Sequence, residues 1–130
     1  MTVPMLLVDD EADSLELFRQ SFRREIRRGD YAIDFAASAD EALRMLLDIN
    51  PSPPQVLLSD INMPGMNGLD LLSEVKRRWP QVHVIMISAY GDDANRRRAA
   101  GLGASHFLSK PIDFTELKRT LADYTAGQAT

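Results

Sequence analysis

Five short apolar runs divide the chain, and between them lie segments whose apolar residues recur every three or four positions. Short runs rich in Val, Ile and Leu favour β-strands, whereas the three-to-four spacing favours amphipathic helices. The predicted strands are Met5–Val8, Tyr31–Phe35, Val56–Ser59, Val82–Ile87 and His106–Ser109. Strands that alternate with helices form a parallel sheet covered on both faces, and five units are too few to close a barrel. The pattern therefore predicts one open α/β sheet.

Capping and breaking residues delimit the helices between these strands. The predicted helices cover residues 11–28, 39–49, 69–79, 92–102 and 114–124. Ser38 and Glu41 have the spacing of a capping box, and Asp113 and Glu116 repeat it before the last helix. Along the first helix, one predicted buried face consists of Leu15, Phe18, Phe22 and Ile26.

The fourth predicted helix, over residues 92–102, differs from the others because it is mostly polar and contains Arg96, Arg97 and Arg98 in succession. With little apolar surface to bury, it is expected to be short and loosely held. Weakly packed elements are where switching motions tend to occur. A merely marginal helix explains the same composition equally well.

Length and composition indicate one globular domain. The 130 residues are 45% hydrophobic and 26% charged, which is ordinary for a soluble protein. We expect the domain to cover residues 1–124, with a C-terminal tail or the start of a linker over 125–130. No apolar stretch is long enough to span a membrane, and no secretion signal is recognisable. The absence of cysteine suits a reducing cytoplasm, where we expect the protein to act.

The charge of the chain disfavours binding to nucleic acid. The net charge is −4, and nucleic acid attracts proteins of the opposite sign. Two groups of arginines are candidate contact patches for an acidic partner, namely Arg23-Arg24 with Arg27-Arg28, and Arg96–Arg98. A solvated helix face is the preferred interpretation of both. We expect no direct nucleic-acid binding and no membrane association.

Four of the predicted strands are followed by residues that can do chemistry. Asp9 and Asp10 follow the first strand, Asp60 the third, Ser88 the fourth and Lys110 the fifth. The carboxyl ends of the strands in an open parallel sheet face one crevice, where ligands usually bind. We therefore expect these side chains to lie close together.

The three aspartates predict a site for a hard cation. Three neighbouring carboxylates repel one another unless some are protonated or a cation intervenes. Oxygen ligands without nearby cysteine or histidine select Mg²⁺ first, and Mn²⁺ or Ca²⁺ next. Helix capping by Asp9 or Asp10 is the alternative, and it explains either residue alone better than it explains the whole set.

Asp60 is the candidate nucleophile, because a carboxylate can attack phosphorus to form an aspartyl-phosphate. Phosphoryl transfer needs placement and charge neutralisation more than covalent work by the protein. Lys110 can neutralise charge on the phosphoryl group, and Ser88 can donate a hydrogen bond to one of its oxygens. The turn after Asp60 can offer a backbone carbonyl to the metal.

Four stretches in fixed order resemble the receiver domain of bacterial response regulators, the phosphorylated half of two-component signalling. They are Leu6–Glu11, Ser59–Gly68, Ile87–Tyr90 and Phe107–Pro111. The resemblance implies a flavodoxin-like (βα)5 fold, a doubly wound open parallel sheet with strand order 2-1-3-4-5. It implies a switch that takes a phosphoryl group from the phosphohistidine of a sensor histidine kinase or from a small phosphodonor, with Mg²⁺ as cofactor.

The same resemblance assigns roles to single residues. Asp60 is the implied phosphoacceptor, and Asp9, Asp10 and Asp60 hold Mg²⁺ together with the main-chain carbonyl of Asn62. Ser88 and Lys110 contact the phosphoryl group. Ser88 and Phe107 are the implied switch residues, although a plain core aromatic is an alternative interpretation of Phe107. The bond between Lys110 and Pro111 is implied to be cis.

Phosphorylation is expected to alter the face formed by the fourth helix, the fifth strand and the fifth helix. This face would control an output domain in the same longer chain or a separate effector protein. A phosphorylation-dependent homodimer is a further form of output that we consider. We expect no turnover of a separate substrate, so the chain is not predicted to be an enzyme.

The chain departs from the family pattern at a few positions. Ser88 stands where threonine is frequent, and Phe107 where tyrosine is frequent, so the switch cannot use a phenolic hydroxyl. The residues that tune dephosphorylation are Asn62 and Tyr90, and neither is an acid able to activate water. We therefore expect the phosphoryl group to last minutes or longer.

Three other functions are weighed against this hypothesis. A haloacid-dehalogenase-type phosphatase also uses an aspartate, Mg²⁺, a hydroxyl and a lysine, but its nucleophile follows the first strand and has a second Asp two residues on. A flavodoxin-like cofactor binder would need a phosphate loop after the first strand. A receiver that acts only as a binding module would not need the complete acidic set.

Overall fold

The computed structural model describes residues 2–48, 53–89 and 92–128, and side chains as far as residue 124. The strands are β1 (Val3–Val8), β2 (Tyr31–Ala36), β3 (Val56–Asp60), β4 (His83–Ser88) and β5 (His106–Ser109). The helices are α1 (Ala12–Ser21), α2 (Arg23–Arg28), α3 (Ala39–Asp48), α4 (Gly68–Arg78), α5 (Asp93–Gly101) and α6 (Phe114–Gln128). All strand pairs are parallel and the order is β2-β1-β3-β4-β5. The predicted fold class and strand order are confirmed.

The core consists of two layers, one on each face of the sheet. Successive residues of a strand point to opposite faces. Leu6 of β1 and Met86 of β4 therefore pack towards α3, α4 and α5, whereas Leu7 of β1 and Ile85 of β4 pack towards α1, α2 and α6. Every residue of β3 is buried, as a central strand covered on both faces requires.

The first predicted helix is divided, so the single helix expected over residues 11–28 is wrong in this detail. Phe22 ends α1 and precedes α2, with φ −102° and ψ 9°. At this point the Nζ of Lys118, in α6, donates a hydrogen bond of 2.7 Å to the carbonyl of Ser21. A side chain that enters the hydrogen-bond ladder is a recognised cause of a helix break. Phe18 and Phe22 still share one buried layer.

Both predicted capping boxes supply a side-chain cap. The Ser38 Oγ accepts a hydrogen bond from the Glu41 N–H at 3.0 Å, and the Asp113 Oδ1 accepts one from the Glu116 N–H at 3.1 Å. The fourth predicted helix is α5, and Ala99 is its one buried residue, which agrees with the expected weak packing. The predicted end of α3 at Ile49 lies outside the described residues.

The last helix extends beyond its predicted end at residue 124 and continues to Gln128. The domain boundary after residue 124 stays a prediction. Among the described residues, no helix combines the length and the apolar character that a membrane crossing needs.

Candidate functional site

The carboxyl ends of β1, β3 and β4 bring the predicted polar residues to one edge of the sheet. Val8 is in register with Ser59, and Asp60 is in register with Ile87, so the residues that follow these strands are neighbours. Asp9 and Asp60 are each 4% exposed, and Ser88 is fully buried. Buried polar side chains at strand ends are unusual unless they are paired or functional.

Four carboxylates form an acidic cluster at this edge. Each of Asp9, Asp10, Glu11 and Asp60 offers a carboxylate oxygen, and these oxygens lie within 4.8 Å of one another. Asp9, Asp10 and Asp60 were predicted from the sequence as metal ligands, whereas Glu11 was not. Its signal was visible, since Glu11 directly continues the Asp9-Asp10 pair. The set contains only oxygen donors, and these donors fit a hard divalent cation.

Helix capping explains part of the geometry of Asp9. Its Oδ1 accepts a hydrogen bond from the Glu11 N–H at 2.9 Å. The residue that caps α1 is Glu11, and its side chain accepts no cap hydrogen bond. Asp9 therefore orients the start of α1 and also faces Asp60, so the two interpretations of this residue are compatible.

The environment of Asp9 disfavours its charge. Burial raises the pKa of this carboxyl, the hydrogen bond from the Glu11 amide lowers it, and the negative charge of Asp60 raises it again. Lys110 lowers the pKa less than these other groups raise it, so the pKa lies above its ordinary value. A divalent cation placed in the cluster would relieve this repulsion, which is a second reason that these residues fit one.

Lys110 reaches the acidic cluster from the loop after β5. Its Nζ donates a hydrogen bond of 2.8 Å to the Asp60 Oδ2 and lies 3.9 Å from the Glu11 Oε1. Burial lowers the pKa of Lys110, but the hydrogen bond with Asp60 and the neighbouring carboxylates outweigh burial and raise the pKa. The ammonium group therefore stays charged and neutralises part of the cluster. The peptide bond between Lys110 and Pro111 is cis.

Ser88 lies at the site, but its hydroxyl points to a partner that the sequence analysis did not name. The Ser88 Oγ donates a hydrogen bond of 2.9 Å to the Oδ2 of Asp92, the N-cap residue of α5. The Ser88 carbonyl accepts a hydrogen bond of 2.8 Å from the Lys110 N–H, which joins the ends of β4 and β5. Asp92 was visible in the sequence only as the first residue of a predicted helix.

The turn after Asp60 is held by the start of α4. The Gly68 N–H donates a hydrogen bond of 2.8 Å to the Ile61 carbonyl. A Cβ atom at Gly68 would overlap the Asp60 carbonyl and would lie 2.8 Å from the Ile61 Cα. Only glycine allows this close approach. Asn62 is exposed on this turn, and the metal role of its main-chain carbonyl stays a prediction.

Phe107 lies on β5 and is in register with Met86 of β4. It is partly buried against the layer that includes Met86 and Ala99. The guanidinium carbon of Arg96, in α5, lies 5.0 Å from the centre of the Phe107 ring. Tyr90, which was predicted to tune dephosphorylation together with Asn62, lies outside the described residues.

A groove of about 480 Å³ borders the acidic cluster on the side of α1. Its polar members include Asp9 and Lys110, and its apolar walls are formed by Leu17, Phe18, Ala89, Pro111, Ile112 and Phe114. Leu17 is 54% exposed. The groove therefore presents an apolar surface beside Asp9 and Lys110.

Comparisons with known proteins agree with this geometry. Residues 5–122 match the model of the response regulator receiver domain. The chain is 36% identical over 119 residues to the response regulator protein PilR of Pseudomonas aeruginosa, and the match covers 90% of this chain but 25% of PilR. The chain thus spans about a quarter of the length of that relative.

Solved structures show the same fold. A response regulator receiver domain protein from Clostridium thermocellum superposes with a TM-score of 0.86 at 26% identity, covering 98% of this chain and 97% of that one. The response regulator TrrA of Thermotoga maritima, solved in complex with Mg(2+)-BeF, gives a TM-score of 0.79 at 27% identity, covering 94% of this chain and 98% of TrrA. Together with the acidic cluster, these matches show that the chain belongs to the response regulator receiver domains, the phosphorylation-dependent switches of two-component signalling.

Proposed function

We propose that Asp60 accepts a phosphoryl group in a Mg²⁺-dependent transfer from the phosphohistidine of a sensor histidine kinase or from a small phosphodonor. The observation that carries this proposal is the 2.8 Å contact between the Lys110 Nζ and the Asp60 Oδ2 within the acidic cluster. It supports the proposal because a carboxylate, an ammonium group and further oxygen donors suited to a cation lie within one small volume.

The proposed transfer is a displacement at the phosphorus atom. A carboxylate oxygen of Asp60 forms a bond to phosphorus while the bond from phosphorus to the donor atom breaks, and the electron pair stays on that donor. Lys110 stabilises charge on the phosphoryl oxygens, and Ser88 donates a hydrogen bond to one of them after its hydroxyl turns. Bound Mg²⁺ would supply further charge neutralisation, held by Asp9, Asp10 and Asp60 with the Asn62 main-chain carbonyl, and by Glu11 directly or through water.

The groove beside Asp9 and Lys110 supports the proposal that the phosphodonor is a protein. An apolar wall next to the phosphoacceptor can bind the helix of a partner that carries the phosphohistidine. A small phosphodonor needs no such surface. The sensor kinase is therefore the proposed donor in the cell, and small phosphodonors serve as convenient substitutes in the laboratory.

The output is proposed to be controlled through α5, β5 and α6. The phosphoryl group binds the active arrangement better and shifts the population towards it. The target is an output domain in the same longer chain or a separate effector, and a phosphorylation-dependent homodimer is a third form of output. The proposal includes no turnover of a separate substrate, because receiver domains act as switches. The protein should therefore not hydrolyse p-nitrophenyl phosphate continuously.

The test is labelling with acetyl phosphate in the presence of Mg²⁺, followed by intact-mass measurement. The wild-type protein should gain one phosphoryl group, and Asp60→Asn should gain none because the amide is a poor nucleophile. Asp34→Asn, a change of an exposed aspartate on β2, is the matched control and should label normally. Label that persists in Asp60→Asn would refute the assignment. Lys110→Ala should keep some labelling and lose the conformational response to it.

The phosphoryl group is proposed to persist for minutes or longer. The residue two positions after Asp60 is Asn62, and the residue two positions after Ser88 is Tyr90. Neither side chain is an acid that can activate a hydrolytic water. A half-life of a few seconds for the isolated domain would contradict this proposal.

A further inference from the structure

Helix α5 has few apolar contacts with the rest of the domain. Of its nine residues, Ala99 is the buried one, and Arg96, Arg97 and Arg98 are exposed. Packing of an apolar face supplies most of the stability of a helix in a protein. Polar contacts between α5 and the sheet therefore have an unusually large effect on where this helix lies.

The first such contact joins Asp92 to the end of β4. The Asp92 Oδ2 accepts a hydrogen bond of 2.9 Å from the Ser88 Oγ and one of 2.7 Å from the Asn95 Nδ2. Its Oδ1 accepts the Asn95 N–H at 3.4 Å, which caps α5. The hydrogen bonds from Asn95 and Ser88 lower the pKa of Asp92. The carboxylate is thus charged at neutral pH, and the bond from Ser88 is of the stronger, charge-assisted kind.

A serine hydroxyl has one proton and can donate one hydrogen bond at a time. The proton of Ser88 is donated to Asp92 in this structure. The proposed phosphoryl group on Asp60 needs the same proton. Asp92 and the phosphoryl group therefore compete for Ser88.

The second contact lies one helical turn further along α5. Residues four positions apart occupy the same face of a helix, and Arg96 follows Asp92 at this spacing. The Arg96 guanidinium lies over the Phe107 ring at 5.0 Å, within the range of a cation–π interaction. The N-cap residue of α5 thus contacts Ser88, and a residue one turn later contacts Phe107. Ser88 and Phe107 are the two residues assigned to switching.

We propose that Asp92 and Arg96 form a clamp, the α5 clamp, which holds Ser88 and Phe107 in the resting arrangement until a phosphoryl group on Asp60 takes the Ser88 hydroxyl from Asp92. This inference rests on the proposed function and adds to it two positioning residues that act through Ser88 and Phe107. It explains how a polar, weakly packed helix is coupled to chemistry at the neighbouring strand ends.

The clamp has a measurable consequence for ligand affinity. A ligand that binds only the active state has an apparent dissociation constant that is inversely proportional to the fraction of protein in that state. Asp92→Asn keeps an oxygen for the α5 cap but removes the charge that strengthens the bond with Ser88. The apparent affinity for beryllofluoride in the presence of Mg²⁺ should therefore rise about tenfold, equivalent to about 1.4 kcal/mol.

The experiment is a double-mutant cycle measured by calorimetric titration with beryllofluoride and Mg²⁺. It compares the wild-type protein, Asp92→Asn, Ser88→Ala and the double variant. In the Ser88→Ala background, Asp92→Asn should change the affinity less than twofold, because the bond that it weakens is already absent. A capping role alone would give the same change in both backgrounds, and that result would overturn the proposal.

Matched controls separate the clamp from general effects on helices. Asp113→Asn makes the same change at the cap of α6 and should leave the affinity unaltered. Asp92→Ser is the second variant, for use if Asp92→Asn unfolds the domain. Serine also caps helices well, and this variant should likewise tighten binding. Arg96→Gln should tighten binding about threefold, whereas Arg97→Gln, which removes the same charge from the next position, should not. Equal effects of the two arginine variants would overturn the part assigned to Arg96.

The outcomes also distinguish the clamp from the function on which it rests. If the wild-type protein binds no beryllofluoride with Mg²⁺, the proposed function is wrong and the clamp is wrong with it. If the wild-type protein binds and Asp92→Asn binds equally well, the clamp alone is wrong.

Discussion

Asp9 carries its carboxylate where the surrounding protein disfavours a charge. Burial is the largest influence on its pKa, and with the charge of Asp60 it outweighs the Glu11 amide and Lys110. The folded state therefore holds a proton on Asp9 more tightly than the unfolded state does. The stability of the metal-free protein falls as the pH rises from the unfolded pKa near 3.8 through the raised folded pKa. The cost is present at pH values above the raised folded pKa.

Asp9→Asn should stabilise the metal-free protein at pH 7 by about 0.5–2 kcal/mol. The amide oxygen can still accept the hydrogen bond from the Glu11 N–H, while the repulsion from Asp60 disappears. Below pH 3.8 the gain should vanish, because wild-type Asp9 is then protonated in both states. Urea unfolding without Mg²⁺ measures the gain. Labelling of the same variant with acetyl phosphate should be weaker than that of the wild-type protein and should rise less when Mg²⁺ is added.

Asp10→Asn is the control for this prediction. Asp10 belongs to the same cluster but is exposed, so its charge is better solvated and its replacement should stabilise less. Both variants should weaken Mg²⁺ binding. Equal stabilisation by the two changes would show that burial is not the cause.

At the scale of elements, the position of Asp60 depends on how closely α4 approaches β3. Gly68 begins α4 and contacts the backbone of Asp60 and Ile61 directly. The sequence shows Gly68 only as one of several turn residues. The reason for a glycine here becomes visible once the two elements are packed together, because the distance between their backbones leaves no room for a Cβ.

Gly68→Ala should destabilise the domain by about 1–3 kcal/mol and slow phosphorylation of Asp60. The added methyl group forces the first turn of α4 away from the backbone that carries the phosphoacceptor. Urea unfolding and the rate of labelling by acetyl phosphate measure the two effects. Gly101→Ala, at a helical position with open space around the new Cβ, should be neutral or slightly stabilising. Equal stability and equal labelling rates of the two variants would show that the close approach at Gly68 affects neither folding nor phosphorylation.

The elements themselves follow well from local pattern. The run His106–Ser109 has the predicted bounds, and Ser38 and Asp113 cap α3 and α6 as expected. These features depend on residues within one turn or one strand, which the sequence displays directly. The break at Phe22 was not predictable in this way, because the Lys118 ammonium that contacts Ser21 comes from the opposite end of the chain.

At the scale of the whole molecule, this lysine joins the first helices to the last. Lys118 donates to the Ser21 carbonyl, 97 residues earlier, and forms an ion pair of 2.8 Å with Glu25. The Glu25 Oε1 is buried without a hydrogen-bond partner among the described residues. Burial raises the pKa of Glu25, but the hydrogen bond and the charge of Lys118 help to lower it below the ordinary value of 4.5.

Lys118→Met should reduce the free energy of unfolding by about 1–2 kcal/mol at pH 7, since the Ser21 carbonyl and the Glu25 carboxylate both lose their partner. The stabilising effect of a lowered carboxyl pKa is present above the unfolded pKa and is lost as the pH falls through the folded pKa. The difference between variant and wild type should therefore shrink below pH 4.5. Urea unfolding at pH 7 and at pH 4 checks both parts.

Arg119→Met, which removes an exposed charge from the neighbouring position of α6, is the matched control and should change stability little. A loss that is independent of pH would show that Lys118 acts through the Ser21 carbonyl or the Phe22 ring, whose centre lies 5.2 Å from the Lys118 Nζ, and not through Glu25.

The sequence alone determined the alternation of strands and helices, and it placed the three aspartates, Ser88 and Lys110 at the ends of strands. Periodicity and capping are local properties, so the order of residues is sufficient to show them. Tertiary structure decided which side chains are partners. It brought Lys110 to Asp60 across 50 residues, added Glu11 to the acidic cluster and gave the Ser88 hydroxyl to Asp92. Such partners are selected by distance and direction after the sheet has assembled, and a linear pattern of residues contains neither.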